Sequence, residues 1–445
     1  MAQQSVWEKE SFFAPADIII AGSGLVGLWS AYYLKKLAPS LSITIIERGL
    51  IPSGASTRNA GFACFGSLSE LVTDSRHLGM DQLLELVDMR YRGIKKIKKL
   101  FGSEAIGYEK YGGYELIGGG RPTRDSIRSA NNTAMNNSAP QTTNTTLETN
   151  ANPDPGTPAS DPSTADPETA APGTAEPGSV PPDLSDLDQL RSSIDEFNRL
   201  LKKITGQQKT FRLQNEKISE FGFANVQYLI ENQSEGQLHS GKLCQALIRL
   251  VQSMGVNILN NTEITGYEKV HGHLLLHTQY GIPLIAQQML VTTNAFALQL
   301  LPQLDITPAR GQVLVTSPIE GLPFKGSFHF DEGFYYFRDL GDRVLLGGAR
   351  NLAFEEETTT EMATTERIQN ELERFLGEVI LPGRFYTIEH RWSGIMAMGS
   401  EKMPIIKAVN EHVFCAVRMS GMGVALAPIV GEKVAALMTS GGEPG

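Results

Sequence analysis

Residues 17–48, DIIIAGSGLVGLWSAYYLKKLAPSLSITIIER, constrain the fold more than any other stretch. Residues 17–21 are a short Ile-rich run, the composition of a parallel strand buried on both faces. Gly22, Gly24 and Gly27 follow in G-x-G-x-x-G spacing. The first glycine permits the tight turn, the second lets a pyrophosphate approach the backbone, and the third lets helix and strand pack closely. Residues 25–37 read as a helix whose free amides and positive dipole end face such a phosphate. Residues 43–47 read as a second buried strand. It ends at Glu47, about 20 residues after Gly27, where a carboxylate accepts the hydroxyls of an adenosine ribose. Strand, glycine turn, helix, strand and acid in that order predict a dinucleotide-binding βαβ unit. The glycines, the serines and the lack of a continuous apolar run of about 20 residues argue against a membrane span here.

The rest of the chain sets bounds on partners. A length of 445 residues suits two or three domains. Lys and Arg total 39 against 49 Asp and Glu, a net charge of −10, which disfavours nucleic acid and anionic membranes as partners. Cys64, Cys244 and Cys415 have no metal-ligand spacing and form no even framework, which suggests a reducing compartment. No basic segment followed by an apolar one opens the sequence, so the cytoplasm is the expected location.

Residues 51–66, IPSGASTRNAGFACFG, fit a loop closing on a cofactor, with Ser56, Thr57 and Asn59 as donors to phosphate or ring atoms. Residues 80–101 carry apolar positions at helical spacing and read as scaffold. Residues 108–119 read as a strand and glycine turn. From 123 to 186 the composition turns to Pro, Thr, Ala and acids with almost no large apolar residue, which predicts a disordered acidic insert dispensable for folding and activity. Residues 237–255 read as a helix with Ser240 as N-cap and Gly255 just past its end. Residues 256–259, 263–270 and 289–293 return to strand character, so the chain revisits its first sheet late. Residues 306–350 are strand-rich and predict an antiparallel sheet in a second domain. A helix over 364–376, strands over 385–392 and 413–417, and a glycine turn at 420–424 opening a last helix complete the chain. No Ser-His-Asp, Cys-His or metal-binding arrangement is present, and His239, beside a helix start, reads as structural.

Several blocks in this order resemble the flavin-dependent amine and amino-acid oxidoreductases, the group of D-amino-acid oxidase, glycine oxidase, sarcosine oxidase and gamma-glutamylputrescine oxidase. They are GSGLVG with Glu47, ASTRNAGF, EGQLHSGKL, TNAF, PARGQ, FYYFRDLGDRVLLGGAR, HRWSGIM and SGMGVAL. The resemblance implies an α/β fold. It has a Rossmann-like FAD-binding domain of glutathione reductase type, glycine oxidase-like, over 14–75, 236–304 and 392–440. Interleaved with it is an α+β substrate domain on an antiparallel sheet, over 76–122, 187–235 and 305–391. It implies FAD, held by Gly22, Gly24, Leu25, Val26, Gly27, Glu47 and Arg48, by Ser56, Thr57, Asn59, Ala60 and Gly61, by Ile264, Thr293 and Asn294, and by Gly421, Met422, Gly423 and Val424. A helix opening at Gly423 would stabilise negative charge on the reduced flavin. The chemistry implied is hydride transfer from a carbon bearing an amine to flavin N5, giving an imine that water hydrolyses, with dioxygen or another acceptor completing the cycle.

Departures from the family bear on the substrate. Glycine oxidase-like members carry an Arg shortly after the W-x-G element to pair a carboxylate; Met396 stands there in WSGIMAMGSEKMP. Arg338 or Arg310 could take its place, with Tyr336 in the same pocket, or both arginines are structural ion-pair residues, and a polyamine-like or secondary amine fits the missing clamp. No Cys lies between Trp392 and Pro404 and no His in the 51–66 loop, so FAD is expected to be non-covalent. The family's oxygen-activating Lys matches Leu346. A dehydrogenase passing electrons to a quinone or carrier protein, and a non-catalytic flavin-fold binding protein, remain alternatives.

Overall fold

The computed structural model describes residues 4–118 and 183–440. The insert expected over 123–186 lies outside them except for its last four residues. Among these, Asp186 caps the helix Leu187–Thr205, its Oδ1 accepting from the Asp188 and Gln189 amides at 3.2 and 3.0 Å.

Two eight-stranded sheets organise the described chain. In the first, Ala16–Ala21 lies centrally, parallel to Leu284–Val291 on one side and to Ile43–Ile46 on the other. Asn257–Leu259 extends it in parallel beyond Ile43–Ile46, and Val413–Val417 does so beyond Leu284–Val291. The late return of the chain to this sheet follows the sequence reading. Ile18, Ile19 and Ile20 are all buried, as a strand covered on both faces requires. The opening helix Leu25–Leu37 and the closing helix Gly423–Thr439 pack against each other on this sheet. Leu28, Leu34, Leu426 and Val430 are fully buried there, each contributing about 1.5–3 kcal/mol. The long helix Met80–Leu100 packs on the closing helix and on Leu187–Thr205, and Tyr91 donates to the Thr205 carbonyl at 3.0 Å.

The second sheet runs Ile388–Met398, Thr307–Thr316, Arg343–Gly348, Tyr335–Leu340, Ser327–Phe330, Gly113–Ile117, Tyr228–Asn232, Phe211–Leu213. It is not wholly antiparallel as expected: Ser327–Phe330 and Gly113–Ile117 pair in parallel. The chain leaves this sheet and re-enters it between those two strands, so they need not run in opposite senses as a hairpin must. Strand alternation divides its side chains. Phe328 and Phe337 stack at 4.7 Å in an aromatic core on one face, while His329 and Tyr336, register partners, point to the other. The strand expected over 385–392 spans Ile388–Met398 instead, so it runs across the boundary expected at 391/392. Phe385 is 89% exposed and lies outside it. One further local expectation is corrected. His239, not Ser240, caps the helix Ser240–Ser253, its Nδ1 accepting from the Lys242 amide at 3.2 Å. Among the described residues no helix is long and apolar enough to cross a membrane.

Candidate active site

The elements of both sheets converge on one elongated cavity of about 420 Å3. Gly22 turns the chain at φ 102°, and Gly24 opens the opening helix with no cap from its own side chain, so among the described residues the Val26 and Gly27 amides have no side-chain partner. A Cβ at Gly27 would lie 2.1 Å from the Gly22 carbonyl oxygen, so only glycine lets helix and turn approach this closely. Ser56 reaches over from its loop: Oγ accepts from the Leu25 amide at 2.9 Å and keeps its own proton to donate. At the end of the second strand Glu47 is 8% exposed. Its Oε2 accepts from the Ser23 amide and hydroxyl at 3.0 and 2.8 Å, and Oε1 from the Gly49 amide at 2.9 Å. These bonds fix the carboxylate while leaving lone pairs toward the cavity.

Most of the expected cofactor residues are brought together. Gly22, Gly24, Leu25, Val26, Glu47, Arg48, Ser56, Asn59, Ala60, Ile264, Thr293, Asn294 and Gly421 through Val424 all line the cavity. Arg48 lies over the Phe296 ring at 3.7 Å. Gly27, Thr57 and Gly61 do not line it; Gly27 acts through packing alone. The Thr57 hydroxyl donates to the Pro52 carbonyl at 2.6 Å, and both protons of the Asn59 amide go to the Ala55 and Ser56 carbonyls. Of the three donors expected in that loop, only Ser56 keeps one to offer. Thr57 and Asn59 shape the turn Ala55–Arg58, as short polar side chains do at helix starts. The hydroxyls of Thr293 and Ser420, buried on the cavity wall, have no protein partner.

Tyr336 and Met396 also line the cavity; Arg338 and Arg310 do not. Arg338 Nη1 donates to the Leu238 carbonyl at 2.9 Å and Nε to the Asp339 carbonyl at 2.8 Å, so it braces the backbone behind Gly61. Arg310 is 3% exposed and pairs bidentately with Glu357, at 3.0 and 2.7 Å. Neither guanidinium is free for a substrate, so of the two readings open for this pair the geometry favours the structural one over the carboxylate clamp.

The chamber beyond the cofactor strip holds residues that sequence reasoning missed. His329 is buried with neither ring nitrogen hydrogen-bonded, and its ring meets the edge of Phe62 at 5.2 Å. Burial pushes its pKa down to about 4 against the pull of Glu70, so the ring is neutral at pH 7. Glu70, Lys402, Asp74 and Arg90 form a compensated cluster: Lys402 lies 2.6 Å from Asp74 and 3.4 Å from Glu70, and Arg90 lies 3.3 Å from Glu70. Burial alone would raise Glu70, but Lys402 and Arg90 hold it down at about 2. Burial raises Tyr336 to about 12, leaving a protonated hydroxyl, and raises the Cys64 thiol well above its ordinary value. Arg350 follows the strand that pairs with Tyr336 and also lines the chamber. The one signal for His329 in the sequence was its alternation in FHF, which sets it opposite two buried phenylalanines.

Residues 17–151 and 166–437 match the model of a family described as FAD dependent oxidoreductase, DAO. The chain belongs to that family. Solved structures of similar fold include L-proline dehydrogenase from P. horikoshii, with a TM-score of 0.66 at 17% identity over 96% of this chain and 94% of that one. Iminodiacetate oxidase from Chelativorans sp. BNC1 follows at 0.64 and 19%, over 96% of each. Glycine oxidase from Bacillus cereus ATCC 14579 stands at 0.62 and 16%, also over 96% of each. A 44-residue stretch is 43% identical to thiamine thiazole synthase of Yarrowia lipolytica, but spans only 10% of this chain and 14% of that protein.

FAD is the cofactor of this family member, and the cavity fits it. The close Gly22–Gly27 approach, the helix start with Ser56 over its first amide, the anchored Glu47 carboxylate and the unpartnered hydroxyls of Thr293 and Ser420 form a cradle for a long polar molecule.

Proposed function

We propose that this FAD-dependent oxidoreductase oxidises the C–N bond of a small amine or amino acid. Glu47 would hold the ribose, the amides around Gly24 with Ser56 the pyrophosphate, and the amides opening the closing helix at Gly423 the flavin. The wider division of labour follows from the same reading. The first sheet with its helices serves the cofactor, and the cavity face of the second sheet serves the substrate. Bound FAD supplies a two-electron acceptor for the hydride on the carbon beside nitrogen, and the resulting imine is hydrolysed by water.

The observation carrying this reading is His329, a neutral buried imidazole without a partner on the wall of the chamber that adjoins the cofactor strip. A neutral ring nitrogen accepts a hydrogen bond from an amine N–H and favours the unprotonated amine, whose lone pair is needed to form the C=N bond. Phe62, Tyr336 and Met396 line the same chamber with apolar surface that excludes water. Lys402 is committed to Glu70 and Asp74, so no lysine is left there as a general base.

Anaerobic mixing of the yellow protein with a panel of amines and amino acids tests this. Bleaching by a donor supports it. Rapid recolouring in air then assigns an oxidase, and slow recolouring a dehydrogenase that uses another acceptor. Absence of bleaching by every donor overturns it in favour of a flavin-fold binding protein.

A further inference from the structure

Among the described residues four cations line the cavity: Arg48 lies over the Phe296 ring among the expected cofactor residues, and two of the other three are committed. Lys402 pairs with Glu70 and Asp74, and Arg58 donates to the Ser53 and Ser393 carbonyls at 2.8 and 2.9 Å. Arg350 is different. Among the described residues it makes no ion pair and no side-chain hydrogen bond, although it is half-buried on the cavity wall. Glu332 lines the same cavity but does not pair with it. The nearby Glu357 is taken by Arg310 and by Gln312, whose Nε2 donates to it at 2.9 Å.

Arg350 is nonetheless held in place. Its guanidinium lies 4.8 Å from the Phe354 ring and 6.0 Å from that of Phe334, so aromatic contacts fix it while leaving its N–H donors open. Ala349 before it adopts a left-handed conformation, φ 60°, at a cost of about 1 kcal/mol for a residue with a Cβ. Its amide donates to the Phe334 carbonyl at 2.8 Å, which pins the turn. A half-buried guanidinium presented by a strained turn, with no anion of its own, calls for an anionic ligand.

We propose that Arg350 is the carboxylate anchor of the substrate, so that the donors are amine-bearing carboxylic acids rather than polyamines or simple amines. The proposal rests on the amine-oxidation reading above. It replaces the anchor missing at Met396 with one from another strand end. Arg350 would take the carboxylate through two parallel N–H bonds, with the protonated Tyr336 hydroxyl as a neighbouring donor, and the amine would fall toward His329.

The test uses the holoenzyme and two readouts. Benzoate and acetate, which carry no oxidisable amine, are titrated while the flavin spectrum is followed, with benzyl alcohol as the uncharged comparison. The wild type should respond to the carboxylates alone, and Arg350→Met should weaken that response about 30-fold or more, with Arg350→Lys in between. In the second readout glycine, sarcosine and proline are compared with methylamine, dimethylamine and pyrrolidine as flavin reductants. At least one acid should half-saturate at a concentration at least ten-fold below its decarboxylated partner in the wild type, as a charge-assisted pair implies, and this gap should close in Arg350→Met. If a variant loses FAD, Arg350→Gln carries the same comparison. Undiminished benzoate binding in the variants, or bleaching by amines regardless of a carboxylate, overturns the proposal while leaving amine oxidation standing. Arg350-dependent benzoate binding without bleaching by any donor supports the anion site and overturns the oxidation reading instead.

Discussion

Gly27 stands so close to Gly22 that any side chain there would enter the Gly22 carbonyl, the Cβ lying 2.1 Å from its oxygen. Overpacking of this kind costs about 1–3 kcal/mol or more. Gly27→Ala should therefore lower Tm by several degrees and yield colourless protein, because the turn that faces the cofactor must move. Gly102→Ala, at a position with open space and φ −65°, should stay yellow with an unchanged Tm. Equal colour in the two purified variants would remove the packing argument.

Glu47 is held by Ser23 and Gly49 in a fixed orientation. Replacing it with Gln keeps the shape and removes the charge. FAD binding to the apoprotein, followed by flavin fluorescence, should weaken about 10- to 100-fold. An unchanged affinity would mean that this carboxylate serves only the loop at 47–49.

Arg310 and Glu357 are a buried bidentate pair, and neither lines the cavity. Arg310→Met leaves Glu357 charged and uncompensated, which costs about 3–5 kcal/mol. The urea midpoint should fall by a corresponding amount, whereas Arg350→Met, which leaves no buried acid unpaired, should leave the midpoint nearly unchanged. The contrast with Arg350→Met separates a structural guanidinium from a ligand-binding one.

Two buried acids make stability depend on pH. Burial raises Glu235 to about 8 and Glu115 to about 7 from an ordinary 4.5. Glu235 accepts from the Phe65 amide at 2.9 Å, and Glu115 accepts from Ser69. Each holds its proton in the folded state after the unfolded chain has lost it, so stability falls as pH rises above 4.5. His329, depressed to about 4, acts oppositely between pH 4 and 6.5, where the unfolded chain binds the extra proton. From pH 6.5 to about 7 both acids act without that offset, and from 7 to 8 Glu235 continues alone, so stability should fall by up to about 1.4 kcal/mol per pH unit for each acid within its window. Glu235→Gln should flatten the Tm profile over that window. A profile as steep as the wild type would assign the dependence elsewhere.

Cys64 is the cysteine that lines the cavity, and burial keeps its thiol protonated and unreactive. FAD should therefore leave with acid precipitation, giving a yellow supernatant and a colourless pellet. Flavin fluorescence retained on the denatured polypeptide would overturn the expectation of non-covalent binding.

The features legible in the sequence are those written in short-range pattern. The βαβ unit over 16–47 follows from an apolar run, a glycine spacing and an acid at the right interval, and each is decided within a few residues. So is the turn at 420–424 that opens the closing helix. What each polar side chain does was decided only by tertiary structure. Thr57 and Asn59 look like cofactor donors until the loop folds back and takes their protons. Arg310, Arg338 and Arg350 are equivalent in sequence. The first meets Glu357, 47 residues away, the second meets the Leu238 carbonyl, 100 residues away, and the third meets neither anion nor carbonyl. Periodicity reports which face a residue occupies. Whether its charge is spent or free depends on partners that only long-range strand pairing brings within 3 Å, because hydrogen bonds act at contact distance and the chain reaches that contact through the whole fold.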